Sequence, residues 1–179
     1  MTTTATELPI SKAKEEIVKE AKRIEESALH SAKGHFRAAT LWGQFHITIG
    51  LPMVVLAAVA GASAFAKLDQ DKSLAGILSI VVVVLSSVST FLNPNKKSTD
   101  HLNAANKYDN LLNRVRIFRT IECWQETNDQ ALGEKLKRFS DDKAMLNQSS
   151  PQIPWLAYVM AKRGIKQGEA DYEVDKPKP

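Results

Sequence analysis

The residues with the most chemistry to offer are polar side chains set at helical spacing inside an uncharged run. Ser79, Ser86, Thr90 and Asn93 follow one another at steps of seven, four and three, and at roughly 100° per residue they share one face of a helix. Ala75 and Gly76 extend that face with small side chains, and Val82 and Val83 interrupt it near its middle. In hydrocarbon such a stripe does one of two things. Its hydroxyls bond to carbonyls one turn back while the small side chains pack on a neighbouring helix, or it lines a water-accessible path that an apolar constriction gates by dewetting. The spacing admits both.

Catalytic chemistry has little to work with. His30 and His35 are five residues apart, off the i,i+4 spacing that puts two metal ligands on one helix face. His46 and His101 complete no pattern with them, and His46 reads as interfacial. Cys123 is the single cysteine, so no disulfide forms within the chain. That fits a reducing cytoplasm, with Cys123 as a small helix residue. Neither a Gly-rich phosphate loop nor a Gly-x-Ser-x-Gly elbow occurs. We expect no cofactor, no bound metal and no enzymatic activity.

The element that must position the polar stripe is the segment 73–95, SLAGILSIVVVVLSSVSTFLNPN, which holds no Asp, Glu, Lys or Arg. It is long enough to cross a bilayer. Its Leu, Ile, Val and Phe side chains, at roughly −0.3 to −0.6 kcal/mol each, give an insertion free energy near about −4 to −7 kcal/mol before the polar residues subtract from it. A second uncharged stretch runs from Ala38 to Ala66, and only Lys67-Leu68-Asp69-Gln70-Asp71-Lys72 separates the two. The pair reads as a helical hairpin in a membrane. A buried hairpin in a soluble all-α core is the alternative, but the rest of this 179-residue chain is too polar to cover two helices apolar on every side.

The first span carries its own signal. Gly50, Ala57, Ala60, Gly61 and Ala64 fall on one side together with Met53, a small-xxx-small face suited to close helix packing in lipid. Pro52 frees a carbonyl and permits a kink. Trp42 falls at the headgroup level, where Trp is enriched.

Charge is distributed accordingly. Lys and Arg number 24 against 20 Asp and Glu, with pI near 9.1, and the two signs interleave without the basic stripe that nucleic-acid binding requires. Lys33 and Arg37 precede the first span, and Lys96 and Lys97 follow the second, which puts both ends in the cytoplasm by the positive-inside rule. No charge lies within the spans, so proton relays and voltage sensing have no support. Lys96, Lys97, Arg114, Arg116 and Arg119 are candidates for contact with anionic headgroups or an anionic ligand, against the alternative of a solvated helix face.

The flanks read as helices. With Pro9 as a first helical residue, Ile10, Ala13, Ile17, Ala21, Ile24, Ala28 and Ala32 make one apolar side, supported by Glu15–Lys19 and Lys22–Glu26 pairs. That side either packs on the protein's own later helices or seeks a partner. Asn93-Pro94-Asn95 breaks the second span, and Ser98 or Thr99 caps a helix marked by Leu102, Ala105, Tyr108, Leu112, Val115 and Phe118. Asn128 caps another, carrying Leu132, Leu136 and Phe139. Pro151 and Pro154 lead into a short helix that Gly164 ends. The expected organisation is all-α: an amphipathic cytoplasmic helix over 1–40, transmembrane helices over 41–66 and 73–95 joined by an external loop over 67–72, cytoplasmic helices over 96–166, and a flexible tail over 167–179.

This order of parts, with FLNPNKKSTDHLNAANKYDNLLNRVRIFR and SSPQIPWLAYVMAKRGIKQGEADY, resembles the SLATT family of two-transmembrane effector domains. The likeness covers roughly residues 10–173. It rests on Asn93-Pro94 directly after the second span, on the helix with Ala104-Ala105, Tyr108 and Leu111, and on the Pro-rich approach to Ala161-Lys162-Arg163 followed by Gly168-Glu169. The resemblance implies a membrane effector of prokaryotic conflict systems that forms pores or perturbs the inner membrane when a nucleotide signal or a sensor protein triggers it. Two helices cannot enclose a pore, so this function requires a homo-oligomer. The rival expectation is a membrane-anchored adaptor whose hairpin only positions the cytoplasmic helices for a partner.

Overall fold

The computed structural model of the protein describes residues 11–66, 73–172 and 174, and the elements among them are helical. Pro9 and Ile10, the loop 67–72 and most of the tail beyond Tyr172 lie outside the described residues. In chain order come α1 (Lys12–Ala66), α2 (Ser73–Leu92), α3 (Pro94–Ile117), a π-helical turn (Phe118–Glu122), α4 (Cys123–Gln125), α5 (Asp129–Ser149) and α6 (Trp155–Lys166).

One helix joins the two parts of the molecule. α1 runs for 55 residues with Pro52 inside it, about 80 Å at 1.5 Å per residue, so the amphipathic segment and the first apolar stretch are a single continuous rod. Its first half packs on the chain's own later helices. Ala21, Ile24 and Ala28 form one core with Leu111, Leu112, Val115, Phe118, Cys123, Leu132 and Phe139. Alanines on that side let α3 approach closely, and the larger side chains of α3 and α5 fill the volume. In place of the expected Glu15–Lys19 and Lys22–Glu26 pairs, Lys19 bonds Glu16 and Arg23 bonds Glu20, both at i,i+3. All four side chains are well exposed, so these pairs contribute little.

The π turn has a packing reason. Phe118 and Cys123 are both fully buried, five residues apart. An α-helix puts residues five apart on different faces, whereas the wider turn brings them onto the same one. Phe118 then meets Phe139 with ring centroids 5.4 Å apart. Burial pushes the Cys123 thiol above its ordinary range, which keeps it protonated in the core.

The cap of α3 is not Ser98 or Thr99 but Asn93. It stands at φ 44°, ψ 58°, its side-chain oxygen accepts from the Lys96 amide, and Pro94 takes the first helical turn. Asn tolerates this left-handed conformation because its short polar side chain bonds locally. Ser98 instead donates to the Ala39 carbonyl at 2.8 Å, and Thr99 to Asn95. Asn93→Val is expected to lower stability by about 1–2 kcal/mol, measured by thermal unfolding of the detergent-solubilised protein, with Asn93→Gly retaining most of it. Asn128 caps α5 as expected, accepting from the amides of Gln130 and Ala131. Gly164 does not end α6. It lies buried within the helix where a Cβ would strike the Glu169 carboxylate, and the positive φ falls at Gly168, 85°.

Candidate functional site

Beyond the bundle, α2 folds back on the second half of α1. The residues of α1 that lose exposure there are Ile49, Gly50, Met53, Leu56, Ala60 and Ser63; those of α2 are Ala75, Leu78, Val82, Leu85, Ser89 and Leu92. Gly50 apart, both sets advance by alternate steps of three and four, the pattern of a heptad seam. Leu78, Leu85 and Leu92 turn towards α1 in this arrangement. Ile77, Ile80, Val84 and Phe91 stay exposed, at 59%, 67%, 55% and 89%.

The small face of the first span is only partly used. Ala60 is buried in the seam and Gly50 is half-buried, while Ala57 and Gly61 point outward. A Cβ added at Gly50, Gly61 or Gly76 meets nothing within 4 Å. The side chain of Ala64 lies outside the description. Within one chain this face leaves room for another helix to approach.

The polar stripe does not pack on α1 either. Ser79, Ser86, Thr90 and Asn93 are all exposed, on a face about a quarter-turn from the seam. Ser79 donates to the Ala75 carbonyl and Ser87 to the Val83 carbonyl, each at 2.8 Å, so two hydroxyls of α2 are satisfied one turn back. Among the described residues those of Ser86 and Thr90 have no partner. Val82 and Val83 separate: Val82 enters the seam, and Val83 remains on the stripe's side, 63% exposed. Both helices are long and apolar enough to cross a membrane, and the most apolar 18-residue windows of the two are 6% and 0% buried by the chain itself.

The root of the hairpin is built differently. Trp42 meets Phe45 edge-on at 5.9 Å, and Lys97 Nζ sits 4.4 Å from the centre of the Trp42 ring, a cation–π contact. One to two turns further into the bundle, His35 and His101 are both buried, with their Nδ1 atoms 2.9 Å apart. Tyr108 stacks on His35 at 5.5 Å with ring planes 14° apart, and its hydroxyl donates to Asn147 at 2.8 Å. Burial, and then the neighbouring His101, bring His35 down to about 4. Burial also lowers His101, against the opposing pull of Asp100. Both rings are therefore neutral near pH 7, in complementary tautomers: one Nδ1 carries the hydrogen and the other accepts it.

The five basic residues singled out in the sequence are not brought together. Lys96 pairs with Asp100 at 2.6 Å, and Lys97 lies over Trp42. Arg114 pairs with Asp142 at 3.0 Å and covers Phe139, and Arg116 bonds Asn113 and covers Tyr172. Arg119 makes a two-pronged, partly buried bond to Glu25 at 2.6 and 3.3 Å, which raises its pKa further. Each has an intrachain partner, and Arg119 ties α1 to the turn after α3.

The histidine pair was missed by sequence reasoning, though a signal for it exists. His101 stands four residues before Ala105 and seven before Tyr108, in step with the core face of α3, but the more apolar Leu102 fits the same periodicity one position later. The structure buries His101 and leaves Leu102 44% exposed. No family model, curated protein or solved structure matches the chain.

Proposed function

We propose that this chain is an integral membrane protein whose hairpin assembles with other copies into a pore or membrane-perturbing element, governed by the helical bundle at its root. The observation that carries this reading is the surface of α2. Outside the seam with α1 it is uncovered by the rest of the chain, and divided between a lipid-suited face of Ile77, Ile80, Val84 and Phe91 and a polar face of Ser79, Ser86 and Thr90. Unpartnered hydroxyls are costly against hydrocarbon, so Ser86 and Thr90 are served by water or by a neighbouring copy. The open small face at Ala57 and Gly61 gives that neighbour a place to approach.

In this reading the bundle and both termini lie in the cytoplasm and the segment 67–72 outside, which the positive-inside distribution of charge supports. The resemblance to SLATT effectors supports a site of action in the inner membrane within a prokaryotic conflict system, with a nucleotide signal or a sensor protein as the trigger. In this scheme Val83 supplies an apolar constriction on the polar face. The trigger shifts a closed-to-open equilibrium by binding the open packing of the bundle more tightly.

Val83→Ser is expected to raise resting ion flux, read as faster dye or potassium release from vesicles holding the purified protein and as greater toxicity on expression. Unchanged flux at equal insertion would remove Val83 from the path. An anchor that only positions the bundle predicts something else: exchange of the hairpin for an unrelated two-span anchor would then leave activity intact.

A further inference from the structure

The neutral imidazole pair occupies a mechanically important place. His35 lies on α1 seven residues before Trp42, and His101 lies on α3 seven residues after Pro94, so the contact clamps together the two helices that lead out of the bundle into the hairpin. We propose that His35 and His101 form a proton-operated latch, in which the neutral pair holds α1 to α3 at the root and protonation of both rings releases them.

The tautomers dictate how many protons are needed. The donor ring can take a proton on Nε2 and still offer Nδ1–H to its neighbour. The acceptor ring carries its hydrogen on Nε2, and its one lone pair is the Nδ1 engaged in the contact. A proton there ends the hydrogen bond and sets two imidazolium rings against each other. The first proton keeps the hydrogen bond and is opposed by burial; the second breaks the bond itself.

The surroundings offer little compensation for that second charge. From α3, Asp100 is the carboxylate that acts on His101, and it is already held by Lys96. Lys97 is turned onto Trp42, and Tyr108 presents a ring face to His35 while its hydroxyl is spent on Asn147 of α5. From α1, Lys33 and Arg37 both reach to Glu169, beyond the end of α6. The groups around the latch are cationic, neutral or already paired.

The sign follows from the lowered basicity of both rings. The closed root holds fewer protons than the open one between the ordinary imidazole value and about 4 for His35. Closure is therefore complete above roughly pH 6.5 and weakens as the pH falls through that window. Each proton changes the closed-to-open ratio by about tenfold per pH unit, and both together by up to about a hundredfold.

The test is hydrogen exchange on the full-length protein in vesicles, following amides of α3 around His101 and correcting for the intrinsic pH dependence of exchange. Between pH 7.5 and 5.5 protection there is expected to fall by about tenfold or more, while amides near Leu132 in the distal core keep theirs. In His35→Asn/His101→Asn, which keeps a donor and an acceptor but cannot titrate, the fall is expected to vanish. An equal fall in the double variant, or constant protection in the wild type, would overturn the latch. Should the double variant fail to fold, ¹⁵N spectra of the wild-type imidazoles decide: His35 is expected to stay neutral at pH 6, and its titrating at the ordinary value with protection unchanged would overturn the latch. That the latch acts on a pore rests on the function proposed above. Exchange reports on the latch itself, so its failure is distinct from an absence of flux.

Discussion

Replacing Ser79, Ser86 and Thr90 together with Leu is expected to abolish ion flux through vesicles containing the protein, bringing it to the protein-free level while the hairpin still inserts. The reason lies in what the substitution changes and what it spares. All three positions are exposed and lie outside the seam with α1, so packing within the chain does not depend on them. Leu is among the residues that insert most favourably, at roughly −0.3 to −0.6 kcal/mol each, so α2 becomes more apolar and stays in the bilayer. What disappears is every hydroxyl on one face of the helix. A path wetted by that face closes, whereas a protein that acts by disordering lipid keeps its activity. The two outcomes separate a lined pore from membrane perturbation.

Phe118→Ala is expected to have the largest effect on stability, a loss of about 3–5 kcal/mol. Phe118 is fully buried, packs on Phe139 and stands at the π turn where α3 is tied to α5. Removing the ring leaves a cavity beside Phe139, in a core that also holds Leu111, Val115, Cys123 and Leu132. For a bundle whose whole stability is of order 5–15 kcal/mol, that loss removes a large share of the margin. Thermal unfolding followed by the near-ultraviolet signal, together with the reactivity of Cys123 towards a thiol reagent, reads the change. The wild-type thiol is buried and is expected to resist the reagent, whereas in the variant it is expected to label at physiological temperature. Insertion of the hairpin should be unaffected, because α2 touches only α1 in any extent.

Much of this architecture was legible because periodicity and charge speak plainly where they are extreme. The uncharged runs marked α2 and the far half of α1, and Ile17, Ala21, Ile24 and Ala28 marked the side of α1 that the bundle covers. Asn128 was legible as a cap because its side chain precedes a polar, helix-forming run. Three features were not. Asn93-Pro94 was read as a break with the cap further on, yet a single left-handed residue lets one helix follow the other directly. The stop at Gly164 failed because a glycine inside a helix also permits close approach of another group, here Glu169, and sequence does not distinguish the two uses. The seam between the spans was not legible because small residues signal close packing without naming the partner. Leucines and Met53 fill the seam inside the chain, and much of the small face remains open.

The central claim is that the polar face of α2 meets water inside a membrane while the opposite face meets lipid. The measurement that bears on it most directly is cysteine accessibility along α2, in a Cys123→Ala background that removes the single native thiol. Cys placed in turn at Ser79, Ser86 and Thr90, and at Ile77, Ile80 and Val84, is exposed to a membrane-impermeant thiol reagent in intact vesicles. The account predicts labelling at the first three positions and protection at the second three. Labelling at all six would show that the hairpin is not in the bilayer, and protection at all six, with the pore opened by Val83→Ser, would show that the polar face lines no aqueous path.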